Sequence, residues 1–312
     1  MLKMLYLGAW FMKARFLGLR RPLQTVLFVS DHCNLVCRHC NILKRDGRPP
    51  VTKTYQDIAG ELKYAYGLGS RFVDFGGGEP FLWRDGERSL NDLFRLAKEI
   101  GFYSTTVTTN AQLPFAGCEA DSVWVSLDGV GDCHDQIRGA GTFAQLLGNL
   151  ENCGHPAVSV NMVINRINYQ AVRETIEFAD GHPVIKSISL NFHTPFPGTG
   201  DLWLDWERRR AVIDEIIGLK KAGRPVMNSV SGLKLMKRPG FTRQCWVTNF
   251  ILADGTRLSE CVGQSADMCD RCGFGMAGEM NSLFRFKPDT ILAGLNVRVT
   301  PKVKRPSAIG AT

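Results

Sequence analysis

The sequence has 312 residues, of which 44% are hydrophobic and 22% charged, with a formal net charge of +8. This length accommodates one large domain, or one domain and a small module, with enough chain to bury a core. Ten cysteines favour a reducing, cytoplasmic compartment with metal-binding or catalytic thiols over a disulfide framework. Nucleic acid is not an expected partner, because no basic run interleaves with aromatic residues along one face.

Residues 1–22 are predicted to form an amphipathic helix. At ~100° per residue, one arc collects Lys3, Lys13, Arg20 and Arg21, while apolar side chains fill most of the remainder. Its uninterrupted apolar run is far shorter than the ~20 residues that span a bilayer. Two interpretations stay open. The helix either lies in a membrane interface, which would make the protein peripheral on the inner face of the membrane, or caps one end of the fold.

From residue 23 onward, strand-like apolar runs alternate with segments of helical spacing. The predicted strands are residues 23–30, 71–75, 103–109, 122–127, 157–164 and 185–192. The predicted helices between and after them are residues 55–66, 89–100, 142–152, 169–179 and 206–221. Strands that alternate with helices imply a parallel sheet, and right-handed crossovers would curl six such units into an open barrel. The predicted fold class is therefore α/β, with a partial (β/α)6 barrel over residues 23–225.

Three cysteines follow the first predicted strand, Cys33, Cys37 and Cys40, in the spacing C-x3-C-x2-C. Iron–sulfur clusters bind cysteine thiolates and normally take four ligands, so three thiolates leave one iron open. The loop lies at the carboxyl edge of the sheet, where ligands of α/β proteins bind. Taken alone, three cysteines are also compatible with a zinc site or with buried thiols.

The second predicted strand delivers a glycine-rich segment to the same edge, consisting of Gly76, Gly77, Gly78, Glu79 and Pro80. Residues without a side chain allow backbone groups to approach a ligand closely. The carboxylate of Glu79 adds a negative charge suited to an ammonium group. An amino acid headgroup would fit such a pocket.

Residues 33–40 (CNLVCRHC) together with residues 77–80 (GGEP) resemble the radical S-adenosylmethionine (SAM) superfamily. The resemblance implies a six-unit partial barrel and a 4Fe-4S cluster held by the three cysteines. In that family the open iron chelates SAM, and an electron from the cluster cleaves it to methionine and a 5′-deoxyadenosyl radical that abstracts a substrate hydrogen.

Two further segments, residues 125–129 and 134–139, resemble the branch of this family that carries auxiliary clusters. By that resemblance Ser126 and Arg138 would contact the carboxylate and ribose region of SAM, and a guanidinium matches a carboxylate in two-point fashion. Asn110, after the third strand, is a further candidate for contact with cofactor or substrate.

A second cysteine group follows the barrel, and its members are Cys245, Cys261, Cys269 and Cys272. The Asp254-Gly255 pair predicts a hairpin turn that brings the first two cysteines together. Four thiolates suit either zinc or an iron–sulfur cluster. The hairpin with its flanking cysteines resembles SPASM and twitch extensions, which favours a second, fully ligated 4Fe-4S cluster for electron transfer. The predicted module covers residues 226–290, and a basic tail covers residues 291–312.

The expected function is that of a radical SAM oxidoreductase or transferase that depends on a reductant such as flavodoxin or ferredoxin. The amino-terminal helix suggests a membrane-associated lipid or isoprenoid as substrate, and a peptide is the principal alternative. A different class of protein also stays open: an iron–sulfur electron carrier or regulator without radical chemistry. That class predicts four ligands at the first site, where the sequence offers three cysteines.

Overall fold

The strands of the protein form one sheet that carries the whole architecture. The computed structural model describes residues 2–40, 48–265 and 267–298, so the predicted tail beyond Arg298 lies outside the described residues. The strands are β1 Gln24–Ser30, β2 Phe72–Gly77, β3 Ser104–Thr109, β4 Ser122–Ser126, β5 Val158–Ile164, β6 Ile185–Phe192, β7 Thr248–Ile251 and β8 Arg257–Leu258. The helices are α1 Leu2–Phe16, α2 Tyr55–Leu68, α3 Leu90–Ile100, α4 Asp132–Arg138, α5 Thr142–Glu151, α6 Val172–Gly181, α7 Trp206–Lys221, α8 Val230–Leu235, α9 Val262–Ser265, α10 Gly275–Phe284 and α11 Pro288–Arg298.

The first six strands are parallel and lie in chain order, as the predicted partial barrel requires. Each strand is within two residues of the predicted bounds, because alternating burial is a local signal that the sequence carries directly. The side chains of Leu27, Phe75, Val107 and others on the same side pack under the helices and form the main hydrophobic core. The α/β fold class is confirmed.

The five predicted barrel helices lie within three residues of their predicted bounds, whereas α4 and α8 to α11 were not predicted. In α2, the Thr54 side chain accepts a hydrogen bond from the backbone of Asp57, and the Asp57 carboxylate reaches back to the Thr54 backbone, which is a capping box. The helix ends at Gly69, whose φ of 119° only glycine adopts easily. Because α2 returns the chain so that β1 and β2 are parallel, the loops that follow these two strands lie at the same edge of the sheet.

Helix α1 packs across the amino ends of the first strands. Trp10 is buried against Leu23, Phe72 and Val247, and its indole N–H donates to the carbonyl of Arg21 at 2.8 Å. The helix therefore caps the barrel with one face, as the second of the two sequence interpretations stated. Among the described helices, none has the length and apolar character needed to cross a bilayer.

The carboxyl-terminal segment joins the barrel at both edges of the six-stranded sheet. Strand β7 pairs in parallel with β1, and β8 pairs with β7 through the predicted hairpin, where Gly255 has a φ of 87°. At the opposite edge, the N–H of Phe192 in β6 donates to the carbonyl of Gly273 at 2.8 Å. The second cysteine group therefore lies at the seam between β6 and β7.

Candidate active site

The loop that follows β1 carries Cys33, Cys37 and Cys40, all partly buried. Its turn is closed by a hydrogen bond from the N–H of Cys40 to the carbonyl of Cys37 at 3.1 Å. The N–H of Arg38 donates to the carbonyl of Ile137 at 2.9 Å, which ties the loop to α4. Burial raises the pKa of the Cys37 thiol to about 11, although the nearby guanidinium of Arg138 opposes this shift. Without a bound metal the Cys37 thiol is therefore protonated near neutral pH.

The glycine-rich segment holds this loop in place through backbone contacts. The N–H of Gly78 donates to the carbonyl of Ser30, and the N–H of Glu79 donates to the carbonyl of His32, each at 2.8 Å. A Cβ at Gly77 would lie 2.0 Å from the oxygen of Ser30, and Gly77 has a φ of 127°. Gly77 and Gly78 therefore allow the segment after β2 to pack closely against the backbone of the cysteine loop, a role that the sequence alone did not indicate.

Glu79 is buried and its carboxylate is bonded by protein donors. It accepts hydrogen bonds from the Thr109 hydroxyl at 2.7 Å and from the N–H groups of Asn110 and Phe81 at 2.8 and 3.1 Å. Burial raises the pKa of Glu79, while these hydrogen bonds lower it. The carboxylate thus fixes the loop after β3 and keeps part of its acceptor capacity for a ligand. Pro80 follows as the first residue of a buried short 3-10 turn.

The side chain of Asn110 points toward the cysteine loop. Its amide donates to Oδ1 of Asn34 at 2.8 Å and lies 3.7 Å from the sulfur of Cys33. Asn110 therefore lies at the predicted cluster-binding loop, beside the predicted ligand Cys33.

A buried ion pair occupies the other side of the loop. The Nε of Arg138 donates to Oδ2 of Asp128 at 2.7 Å, and its Nη1 lies 3.8 Å from the sulfur of Cys37. Burial by itself would raise the pKa of Asp128, but Arg138 and His39 hold it below its usual value. The guanidinium is thus fixed beside the predicted cluster ligands.

Two histidines contact Asp128, and the sequence did not predict these contacts. His39 Nε2 lies 3.8 Å from Oδ2 of Asp128, and burial lowers the pKa of His39 to about 4, which keeps the ring neutral. Nδ1 of His134 accepts a hydrogen bond from the N–H of Asp128 at 3.2 Å. The one sequence feature that pointed to this cluster was the position of Asp128, at the carboxyl end of β4 beside a predicted cofactor-binding segment.

Ser126 ends β4 opposite Asn161 of β5, so it belongs to the same rim. The side-chain amide of Asn191 donates to Oδ1 of Asn161 at 2.6 Å. The Oδ1 atom of Asn191 also accepts from the N–H of Gly275 at 2.7 Å. These asparagines therefore join β5, β6 and the carboxyl-terminal segment.

The comparison with known families bears on this arrangement. The sequence profile of the Radical SAM superfamily matches residues 27–179, which include the three-cysteine loop, the glycine segment and Arg138. Residues 27–179 are a radical SAM domain. A 4Fe-4S cluster and SAM are the cofactors of this family, and the three thiols on one loop beside a fixed guanidinium fit that pair.

Among curated proteins, the chain is 30% identical over 173 residues to the mycofactocin maturase MftC of Mycobacterium ulcerans, covering 52% of this chain and 46% of that protein. It is 28% identical over 186 residues to a probable GTP 3′,8-cyclase of Saccharolobus islandicus, covering 55% and 58%. The chain thus spans about half the length of the curated relatives it matches.

Solved structures share the fold. Streptococcus suis SuiB bound to its precursor peptide SuiA superposes with a TM-score of 0.61 at 18% identity, covering 79% of this chain and 61% of that one. The enzyme anSMEcpe with bound AdoMet and a peptide gives a TM-score of 0.57 at 15% identity, covering 89% and 84%. At such identities the likeness establishes the barrel fold.

The second cysteine group of this protein surrounds one small cavity, lined by Cys245, Cys261, Cys269 and Cys272. The thiols of Cys245 and Cys261 share a hydrogen bond, which raises the pKa of the first and lowers that of the second to about 6. The predicted hairpin thus brings the two cysteines together. Within the described ranges, no three His, Cys, Asp or Glu side chains are close enough to hold a single metal ion.

Arg243 lines this cavity and Arg209 donates to the carbonyl of Cys272, so these two arginines test whether an anionic group fits there. Arg209 is 1% exposed, and its Nε and Nη1 have no hydrogen-bond partner among the described residues. The Nε of Arg243 is also buried and unpartnered in that part of the chain. Since buried charges are normally paired, four thiolates around a cluster fit these donors.

Proposed function

We propose that this protein is an enzyme that reductively cleaves SAM at a 4Fe-4S cluster held by Cys33, Cys37 and Cys40. The observation that carries the proposal is the placement of these thiols beside the guanidinium that Asp128 fixes. When bound, the cluster and SAM supply an electron and the 5′-deoxyadenosyl radical that abstracts a hydrogen from the substrate.

The protein groups have separate roles in this proposal. Arg138 offers a fixed positive charge to the SAM carboxylate, since its Nε bonds Asp128 and leaves the fork end of the guanidinium on the Cys37 side. Asn110 and Ser126 lie on the same rim and are proposed to bind the remainder of the cofactor. Gly76, Gly77, Gly78 and Pro80 shape the loop against which SAM lies, and Glu79 keeps acceptor capacity for the SAM amino group.

A second 4Fe-4S cluster is proposed in the cavity of Cys245, Cys261, Cys269 and Cys272. Four thiolates leave no iron open, so this cluster is suited to moving an electron between a reductant and the radical site or substrate. Flavodoxin or ferredoxin is the proposed reductant. The unpartnered donors of Arg209 and Arg243 support an anionic occupant.

The inner face of the barrel favours a polar substrate. This face consists of the strand side chains that alternate along each strand with those of the hydrophobic core. Hydroxyl and amide groups dominate this face: Thr106 bonds Ser122 at 3.0 Å, and Ser159 bonds Ser187 at 2.9 Å. The face also includes Asp74, Thr108, Ser126, Asn161, Ser189 and Asn191. Several of these groups bond one another, as Asn161 and Asn191 do, but an apolar chain would keep water from their remaining donors and acceptors, at about 1–3 kcal/mol for each group left unbonded. A peptide or another substrate rich in hydrogen-bonding groups fits better.

A lipid or isoprenoid remains a second candidate because of the outer face of α1. Leu5, Met12 and Phe16 share one face of the helix, and each is more than half exposed. Lys13 and Arg15 beside them are also exposed. An apolar face flanked by basic side chains suits a membrane that contains anionic lipids, which would place the protein at the inner membrane surface.

Anaerobic reconstitution with iron counting and assay of 5′-deoxyadenosine tests the proposed chemistry. We expect about eight irons per chain and nucleoside release after reduction. Cys37→Ala should leave about four irons and no nucleoside, while Cys118→Ala, away from both cysteine groups, should match the unmodified protein. Nucleoside absent under every reductant would instead support the iron–sulfur electron carrier without radical chemistry.

Deuterium transfer distinguishes the substrate classes. Cells grown in deuterated medium are extracted, and the aqueous and organic phases are each added to the reduced enzyme with unlabelled SAM. Mass spectrometry of 5′-deoxyadenosine then reports which phase donates deuterium. Transfer from the aqueous phase supports a peptide or other polar substrate, and transfer from the organic phase supports a lipid.

Vesicle co-sedimentation tests the membrane proposal separately. Binding to vesicles with anionic lipid, lost in Leu5→Glu and lowered by salt, is the expected result. Asp201→Glu, a change at an exposed residue of another surface, serves as the control. Equal recovery of Leu5→Glu and the unmodified chain on the vesicles would rule out this contact.

A further inference from the structure

Arg209 is a buried cation whose hydrogen bonding is incomplete. It projects from α7, and its guanidinium lies 4.6 Å from the ring centre of Phe192 and 4.8 Å from that of Trp206. Nη2 donates to the carbonyl of Cys272 at 2.8 Å, while Nε and Nη1 have no partner in the described part of the chain. Leaving a buried charge unpaired is costly, so an anion next to Cys272 would account for this side chain.

Arg243 is a second arginine with incomplete hydrogen bonding beside these cysteines. It lies two residues before Cys245 and lines the cavity of the four cysteines. Its guanidinium contacts the carbonyl of Cys269 and the ring of Phe241, while its Nε is buried without a partner among the described residues. Each arginine is therefore tied to the backbone of a cavity cysteine.

Within the described ranges, carboxylates do not neutralise these two charges. Among the ion pairs of the described residues, neither Arg209 nor Arg243 has an Asp or Glu partner. The groups that bear on the charge of Arg209 are the thiol of Cys272 and the guanidinium of Arg243. The nearby candidates for counter-ions are thus the cysteines themselves.

We propose that Arg209 and Arg243 are the counter-charges of the cluster in the four-cysteine cavity, and that Arg209 raises its reduction potential. The inference rests on the proposed second cluster. Reduction adds one negative charge to a cluster whose four thiolates already make it anionic. A fixed cation in a dry environment stabilises the reduced form more than the oxidised form, and the effect is largest for the more deeply buried arginine.

The test uses the full chain carrying Cys37→Ala, so that the second cluster is observed alone. Arg209→Met removes the charge at similar length, Arg209→Lys keeps a charge, and Arg210→Met is an exposed control on the same helix. Iron per chain and the midpoint potential from redox titration monitored by EPR are measured for each variant. We expect a more negative potential for Arg209→Met, with Arg209→Lys closer to the parent chain and Arg210→Met unchanged.

Each outcome has a defined meaning. A fully loaded Arg209→Met with the potential of Arg210→Met would overturn the inference. Loss of iron in Arg209→Met but not in Arg209→Lys would support a charge that holds the cluster, whereas equal loss in both would make the side chain merely structural and overturn it. A Cys37→Ala parent with zinc and no iron would overturn the second cluster itself, and this inference with it.

Discussion

Arg138 and Asp128 form a buried ion pair, with 2.7 Å between Nε and Oδ2, directly beside the three-cysteine loop. Removing one partner leaves an uncompensated charge in the protein interior. Asp128→Ala should therefore lower the free energy of unfolding by about 3–5 kcal/mol and weaken SAM binding. Urea unfolding under anaerobic conditions and equilibrium dialysis with SAM measure the two effects.

The exposed pair of Arg95 and Glu119 provides the matched control for Asp128. Glu119→Ala should change the free energy of unfolding by less than about 1 kcal/mol, because solvent screens exposed charges. Similar losses in Asp128→Ala and Glu119→Ala would show that burial does not govern the pair at the site.

Gly77→Ala should displace the three-cysteine loop. The added methyl group would lie 2.0 Å from the carbonyl oxygen of Ser30, and the φ of 127° is unfavourable for alanine. We expect destabilisation of about 2 kcal/mol or more and a loss of iron from the first cluster. Gly76→Ala is the control, since the nearest atoms to its Cβ, in the Phe28 side chain, are 3.8 Å away. Iron content equal to that of the unmodified protein in Gly77→Ala would contradict the loop-holding role.

Trp10 should stabilise the fold because it anchors α1 to the barrel. It is 6% exposed, and its ring lies 5.8 Å from that of Trp246 and 6.1 Å from that of Phe284. Trp10→Ala should cost about 3–5 kcal/mol, whereas Leu5→Ala on the outer face should stay within about 0.5 kcal/mol. Thermal unfolding distinguishes these values, and equal midpoints for the two variants would mean that α1 does not cap the barrel in solution.

Glu279 gives the stability a pH dependence. Burial raises its pKa from 4.5 to about 7, while hydrogen bonds from Ser229 oppose the shift. The folded protein keeps a proton that the unfolded chain releases, so this contribution falls as the pH rises from about 4.5 to about 7. Glu279→Gln should therefore stabilise the protein at pH 8 by about 1–3 kcal/mol and leave pH 4.5 almost unchanged.

Denaturant titrations at both pH values measure this prediction, with the exposed Glu207→Gln on α7 as the control. A stabilisation by Glu279→Gln that is the same at pH 4.5 and pH 8 would argue against titration of this carboxylate. A loss of stability at pH 8 would show that the charged form is the favoured one.

Hydrophobic periodicity in the sequence was sufficient to predict the barrel strands. It located β1 and β6 to within one residue, because alternation between a core-facing and an inward-facing side chain is written into consecutive residues. It did not predict the parallel pairing of β7 with β1, which joins residues more than 200 positions apart. Such pairing forms only after the intervening barrel has brought the two distant segments together.

The candidate site is likewise divided between features that the sequence predicts and features that only the folded structure creates. The residue types and spacing of Cys33, Cys37 and Cys40, together with residues 77–80, predicted iron–sulfur chemistry, since thiolate ligation depends on side-chain identity. Tertiary structure alone decided that Gly77 packs on Ser30 and that Arg209 donates to the carbonyl of Cys272. Close approach and burial are properties of the folded chain, because desolvation and hydrogen bonding depend on which distant segments come together.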